Sequence, residues 1–201
     1  MLKRPVVLLI ALALGSATAA YAASIVGFVS TNGTDTFTSS SITFTPGSST
    51  VQGAIGGTFA TYLVDGNPVV FLPGPLPYSQ GANVAPPSTN LFSIDGATET
   101  FTFTIATYIA NYVTNGTEGC ASGGTCLIVT GTGDFTGTGA AALAASPATF
   151  LFTSQYAPGA TTASITTFSA SASAVPEPAT LALFGTGLLG IVGFARRRFH
   201  L

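Results

Sequence analysis

The chain has 201 residues, of which 47% are hydrophobic and only 6% charged, with five Lys or Arg against seven Asp or Glu. All five basic residues (Lys3, Arg4, Arg196, Arg197, Arg198) and the single His200 lie at the two ends. Taking Glu177 from the seven acids leaves six between Ala23 and Ala174 and a net charge of −6 there, which excludes nucleic acid as a partner, because no side chain can neutralise phosphates.

Met1–Ala22 has the layout of a secretory signal peptide. Lys3 and Arg4 form a positive start, Val6–Leu14 an apolar run, and Ala20-Tyr21-Ala22 a cleavage site, with Ala17-Thr18-Ala19 as an alternative. Residues 23–174 then form one exported domain, long enough to bury a core. The mean hydropathy of +0.56 owes much to the two ends of the chain. With so few charges, solubility of the domain rests on Thr, Ser, Asn and Gly.

The exported domain alternates with a period of two. In Glu99–Ile109, Phe101, Phe103, Ile105 and Ile109 fall on one face and Thr100, Thr102 and Thr104 on the other. Shorter strands are predicted at Ile25–Ser30, Ser41–Thr45, Thr58–Leu63, Val69–Leu72, Leu91–Ile94, Cys126–Thr130, Thr149–Ser154 and Ser164–Phe168. Asn32-Gly33, Asp65-Gly66, Asp95-Gly96 and Asn115-Gly116 read as turns. No exported segment shows a helical stripe, although Ala140–Ala145 has room for one turn. The Pro-rich stretch 73–89 reads as a surface connection, and Ser169–Ala174 as a small-residue tether. The expected fold is all-β, an antiparallel β-sandwich or jelly roll.

Catalytic machinery is sparse. Without an exported His or Lys there is no Ser-His-Asp, Cys-His or Ser-Lys arrangement and no Schiff base. Two carboxylates suffice for a glycosidase, but Asp95 and Glu99 flank a turn and a strand start, where acids are common. No enzyme is expected. Calcium is the best available cofactor, with Asp95, Glu99 and Asp134 as weak candidates for a metal site, since acids in Gly-rich turns offer hard oxygen donors. No EF-hand pattern is present. Asn32-Gly-Thr34 and Asn115-Gly-Thr117 match the N-glycosylation pattern, which Thr-rich turns also produce. Cys120 and Cys126 are the only cysteines, and an oxidising destination makes a disulfide between them the default.

The last 27 residues differ from the rest. Val175-Pro176-Glu177-Pro178 precedes a mostly apolar run over 179–195, then Arg196-Arg197-Arg198. The prolines end whatever comes before, and Pro178 suits a helix start. Seventeen residues at 1.5 Å each reach roughly 26 Å, enough for a thin bilayer, and the arginines mark the cytoplasmic side. This predicts a short C-terminal transmembrane helix. The order Pro-Glu-Pro, short span, basic cluster resembles the PEP-CTERM sorting signal of Gram-negative bacteria. Val175–Thr180, Leu181, the glycines at 185, 187, 190 and 193, and the arginines fit it. The resemblance implies exosortase as a partner, export through the inner membrane, transient anchoring, cleavage near the motif, and delivery to the cell surface or extracellular matrix. It leaves the cargo domain open. Two roles follow as expectations: a structural or adhesive protein, or a calcium-assisted carbohydrate-binding module that contacts exopolysaccharide.

Overall fold

A computed structural model describes residues 23–86, 89–114, 124–141, 143–156 and 166–174. The signal peptide, Cys120, Asn115-Gly116 and the whole segment from Val175 lie outside the described residues.

The described chain is built almost entirely of strands. They are β1 (Ala23–Ser24), β2 (Gly27–Phe37), β3 (Ser41–Phe44), β4 (Ser49–Gly57), β5 (Pro68–Phe71), β6 (Leu76–Pro77) and β7 (Asn83–Val84). Then come β8 (Thr89–Asp95), β9 (Glu99–Thr114), β10 (Thr125–Gly139), β11 (Leu143–Ala144), β12 (Ser146–Tyr156) and β13 (Thr166–Ala174). One helical turn, α1 (Phe59–Tyr62), follows β4.

Eight strands pair in the ring order β2, β4, β5, β8, β9, β10, β12, β13, and β13 pairs back onto β2. Every junction of the ring is antiparallel. The all-β, antiparallel expectation therefore holds. The expected two-sheet sandwich or jelly roll does not appear as separate hydrogen-bonded sheets: one continuous sheet closes on itself. The strands follow one another around the ring in sequence order, as in an up-and-down barrel. Closure removes the unpaired strand edges that an open sheet leaves. β3 and β6 extend the wall beyond β4, because β2 pairs β4 through residues 27–32 and β3 through residues 35–37.

Bending is local. Register shifts fall at Val29/Thr31, Asn90/Phe92 and Thr132/Gly133, and such bulges add the curvature a small ring needs. Gly133 serves the third one, since a Cβ there would stand 2.1 Å from the Thr104 carbonyl oxygen. At the seam between β2 and β4, Gly27 and Gly57 face each other with φ of 120° and 64°. A Cβ on Gly27 would meet the Gly56 oxygen at 2.1 Å, so neither geometry nor space admits a side chain.

The interior is a phenylalanine core. Phe37, Phe59, Phe101, Phe103, Phe135 and Phe152 are fully buried with Tyr108 and Tyr156. Phe135 touches Phe59, Phe92 and Phe103 at centroid distances of 4.8, 5.9 and 5.2 Å, within the range of favourable aromatic pairs. Strand β12 shows the pattern behind this most plainly, alternating buried and exposed over all its residues.

Four local expectations are corrected. Thr58–Leu63 is not a strand. It holds α1, because Phe59 and Leu63 are four apart and both reach the core from one helical face. Asn32-Gly33 is no turn but lies inside β2, paired with Ser169 and Phe168. Residues 49–57, not expected to be a strand, form β4. Ser169–Ala174 is not a tether but most of β13, the strand that closes the ring.

Candidate functional site

The barrel has two ends. Gly27, Asp95, Glu99, Gly139, Ser146 and Ala174 mark one, and Phe37, Thr114, Thr125, Tyr156 and Thr166 the other. We call the first the tail end, because the chain leaves β13 there toward Val175.

The acids proposed for calcium are not brought together. Asp95 is exposed, and its Oδ1 accepts a hydrogen bond from the Thr100 hydroxyl at 3.0 Å. Glu99 points the opposite way and is buried, in line with Phe101 and Phe103. Its Oε1 accepts the Ala141 N–H, while Oε2 has no hydrogen-bond partner among the described residues. Asp134 is exposed on β10 opposite Thr104. It stands four residues from Thr138, the residue level with Asp95, so roughly 13 Å separates them along the strand. Among the described residues no three His, Cys, Asp or Glu form a group that could hold a metal ion. Pairing and alternation explain the split: Asp95 stands opposite Thr100, the neighbour of Glu99, so the two acids take opposite faces.

Asp35, not singled out from sequence, is fully buried and accepts the Ser154 hydroxyl at 2.7 Å. It belongs to a polar girdle at the far end made mostly by tyrosines. Tyr156 donates to the Phe37 carbonyl and accepts the Phe37 N–H at 3.1 Å. Tyr78 donates to the Thr38 carbonyl, and Tyr108 to the Pro77 carbonyl. The Gln80 side chain bridges the Tyr112 backbone, donating at 2.8 Å and accepting at 3.1 Å. These bonds pin the Pro-rich connection 73–86 to the barrel, which its composition alone conceals. Burial pushes the Tyr78, Tyr108 and Tyr156 phenols above their ordinary pKa. For Tyr78, the neighbouring Tyr112 and Tyr156 add to this; for Tyr156, the Phe37 hydrogen bond opposes it and the Asp35 charge reinforces it.

Cys126 is buried on β10 but is not part of the aromatic core; its Sγ lies 3.6 Å from Gln155 Oε1. Its expected partner Cys120 lies outside the described residues.

The outer wall carries a shallow groove of about 530 Å³ lined by Phe28, Thr130, Gly131, Thr149, Phe150, Leu151, Ala172 and Ser173. Phe28 and Leu151 are each 45% exposed.

Val175, Pro176, Glu177, Pro178, Arg196, Arg197 and Arg198 follow β13 directly but lie outside the described residues. Among the described residues no helix is long and apolar enough to cross a membrane. No curated protein and no solved structure matches the chain. Residues 174–198 match the family model of the PEP-CTERM protein-sorting motif. The match opens on Ala174, which belongs to the closing strand β13. The chain thus carries, over 174–198, the PEP-CTERM protein-sorting motif, which implies export and sorting to the cell surface by exosortase.

Proposed function

We propose that this chain is a non-enzymatic structural or adhesive protein of the cell surface or extracellular matrix. A signal peptide over 1–22 exports it, a transmembrane helix over 179–195 holds it briefly, and exosortase processing near Val175–Pro178 releases it. The observation that carries this reading is the junction at Ala174, a residue of the strand that closes the ring and the first of the sorting motif. With no spacer between them, the barrel is the cargo and the tail its address. A sheet that closes on itself leaves fewer unpaired edges than an open one, which suits a protein that accumulates outside the cell.

The test is processing. Two prolines hold the motif extended, as a protease binds its substrate, and Glu177 offers a charge to a basic group of the enzyme. Pro176→Ala with Glu177→Ala leaves export and anchoring intact but blocks cleavage. Blots of membrane and medium fractions are compared in hosts with and without exosortase. The unmutated protein should lose about 2–3 kDa only where exosortase is present, a size set by a tail with one membrane span. The double variant should stay full-length in the membrane. Equal processing of both would reduce the motif to a linker.

The rival is a calcium-assisted carbohydrate-binding module on the same tail. Calorimetric titration with calcium and purified exopolysaccharide separates the two: saturable binding at a defined stoichiometry supports the module, and its absence the structural role.

A further inference from the structure

We propose that, while the tail holds the precursor, the outer wall formed by β10, β12, β13 and β2 lies against the lipid surface, with Phe28 and Leu151 as its apolar contacts. This rests on the anchor reading above and adds an orientation to it.

Three observations carry the inference. The first is how exposed apolar side chains are distributed. Phe28, Leu151 and Ile109 lie on one side of the ring: Leu151 faces Thr130, and Thr130 faces Ile109, across paired strands. Phe28 pairs with Ser173 on β13, and its ring also covers Gly56, where a Cβ would stand 2.5 Å away. The other two among the described residues, Val64 and Val70, lie at or just before β5, which stands opposite β12 in the ring.

The second is reach. Leu151 pairs with Ser171, three residues from Ala174, or roughly 10 Å along the strand. From Ala174 to Ala179, where the apolar run begins, the chain spans at most about 18 Å. The groove therefore lies closer to the exit point than the bilayer can be held away from it. A barrel on so short a leash meets the surface with this end and the wall beside it.

The third is charge. The groove contains no ionisable residue. The exported domain has no Lys or Arg to attract anionic lipid, and Asp134 in the adjoining depression would be repelled by it. Contact must be apolar, with Thr130, Thr149 and Ser173 meeting headgroups at the rim. The partner is accordingly a zwitterionic lipid surface. Such seating would keep Val175–Pro178 at one height above the bilayer, where a membrane-embedded enzyme can reach it.

The chain has no Trp, so single Trp probes report without background. Full-length protein carrying Phe28→Trp or Leu151→Trp is reconstituted into phosphatidylcholine vesicles, plain or with brominated acyl chains. Gln80→Trp at the far end and Val70→Trp on the opposite wall serve as controls. The two groove probes should be quenched about twofold by bromine, as befits side chains entering the outer 5–10 Å of the bilayer, and the controls should not. Two groove positions guard against one variant failing to fold. If the protein floats with the vesicles and both groove probes emit alike in the two lipids, the inference falls and the anchor stands. Quenching of all four probes also overturns it, since no wall would then be preferred. If the protein does not float, the anchor reading fails and this inference with it.

Discussion

Phe135 shows what single residues contribute. It is fully buried and in ring contact with Phe59 on the helical turn, Phe92 on β8 and Phe103 on β9. Phe135→Ala removes these contacts and leaves a cavity, so it should cost about 3–5 kcal/mol in urea unfolding. Thr104→Ala on the outer face should change stability by less than about 0.5 kcal/mol; similar losses for both would contradict the core assignment. The tyrosines give a pH signature. Their folded-state pKa lies above the unfolded value of about 10. Above pH ~10 the folded state therefore keeps protons that the unfolded state has lost. Stability from this source is whole below pH ~10 and falls as pH rises through the folded values. Tyrosinate absorbance should show Tyr78, Tyr108 and Tyr156 titrating late, together with loss of the fold. Titration of every tyrosine near pH 10 with the fold intact would refute this.

Among the elements, the β9–β10 pair is the longest ladder, running from Glu99/Gly139 to Thr114/Thr125. Alternation in Glu99–Ile109 made most of β9 legible, and its core face is as the sequence predicts, with Phe101, Phe103 and Ile105 buried. Ile109 departs from that face. It stands four residues after Ile105 and should share its side, yet Ile109 is 36% exposed while Tyr108 is buried. The cause is a bulge in β9 itself: Thr107 pairs Thr132 while Ile105 pairs Gly133, so Ala106 is an extra residue and the faces of β9 exchange. β10 was legible only at Cys126–Thr130, because Gly131, Gly133, Gly137 and Gly139 thin its pattern. We expect Cys126 to pair with Cys120 at the start of this strand, adding about 2–2.5 kcal/mol by closing a short loop. Mass spectrometry of non-reduced peptides should find the two linked; two free thiols in freshly isolated envelope protein would rule the bond out.

At the scale of the molecule, closure depends on β13. It hydrogen-bonds β12 on one side and β2 on the other, although its sequence is mostly Ser and Ala. Ala172→Pro deletes one N–H from this double ladder, where Pro is not accommodated. Opening the seam exposes the edges of β2 and β12, so the variant should lose the monomer and aggregate by size-exclusion chromatography. A monomeric, equally stable variant would show that the ring does not need β13.

The sequence by itself determined the class and the address. Period-two alternation is a local property of neighbouring residues, and the sorting motif is a linear signal read by its order, so both survive without a fold. Tertiary structure decided the rest. Ser169–Ala174 carries too few large apolar groups to announce a strand, and becomes one because β2 and β12 leave a gap of matching width with unpaired backbone groups. Phe59 and Leu63 form a helical turn because the end of the barrel accepts both from one side. Asp95, Glu99 and Asp134 part company because strand parity and register assign their faces and heights. In each case partners far apart in the chain supply the energy, and no local window contains them.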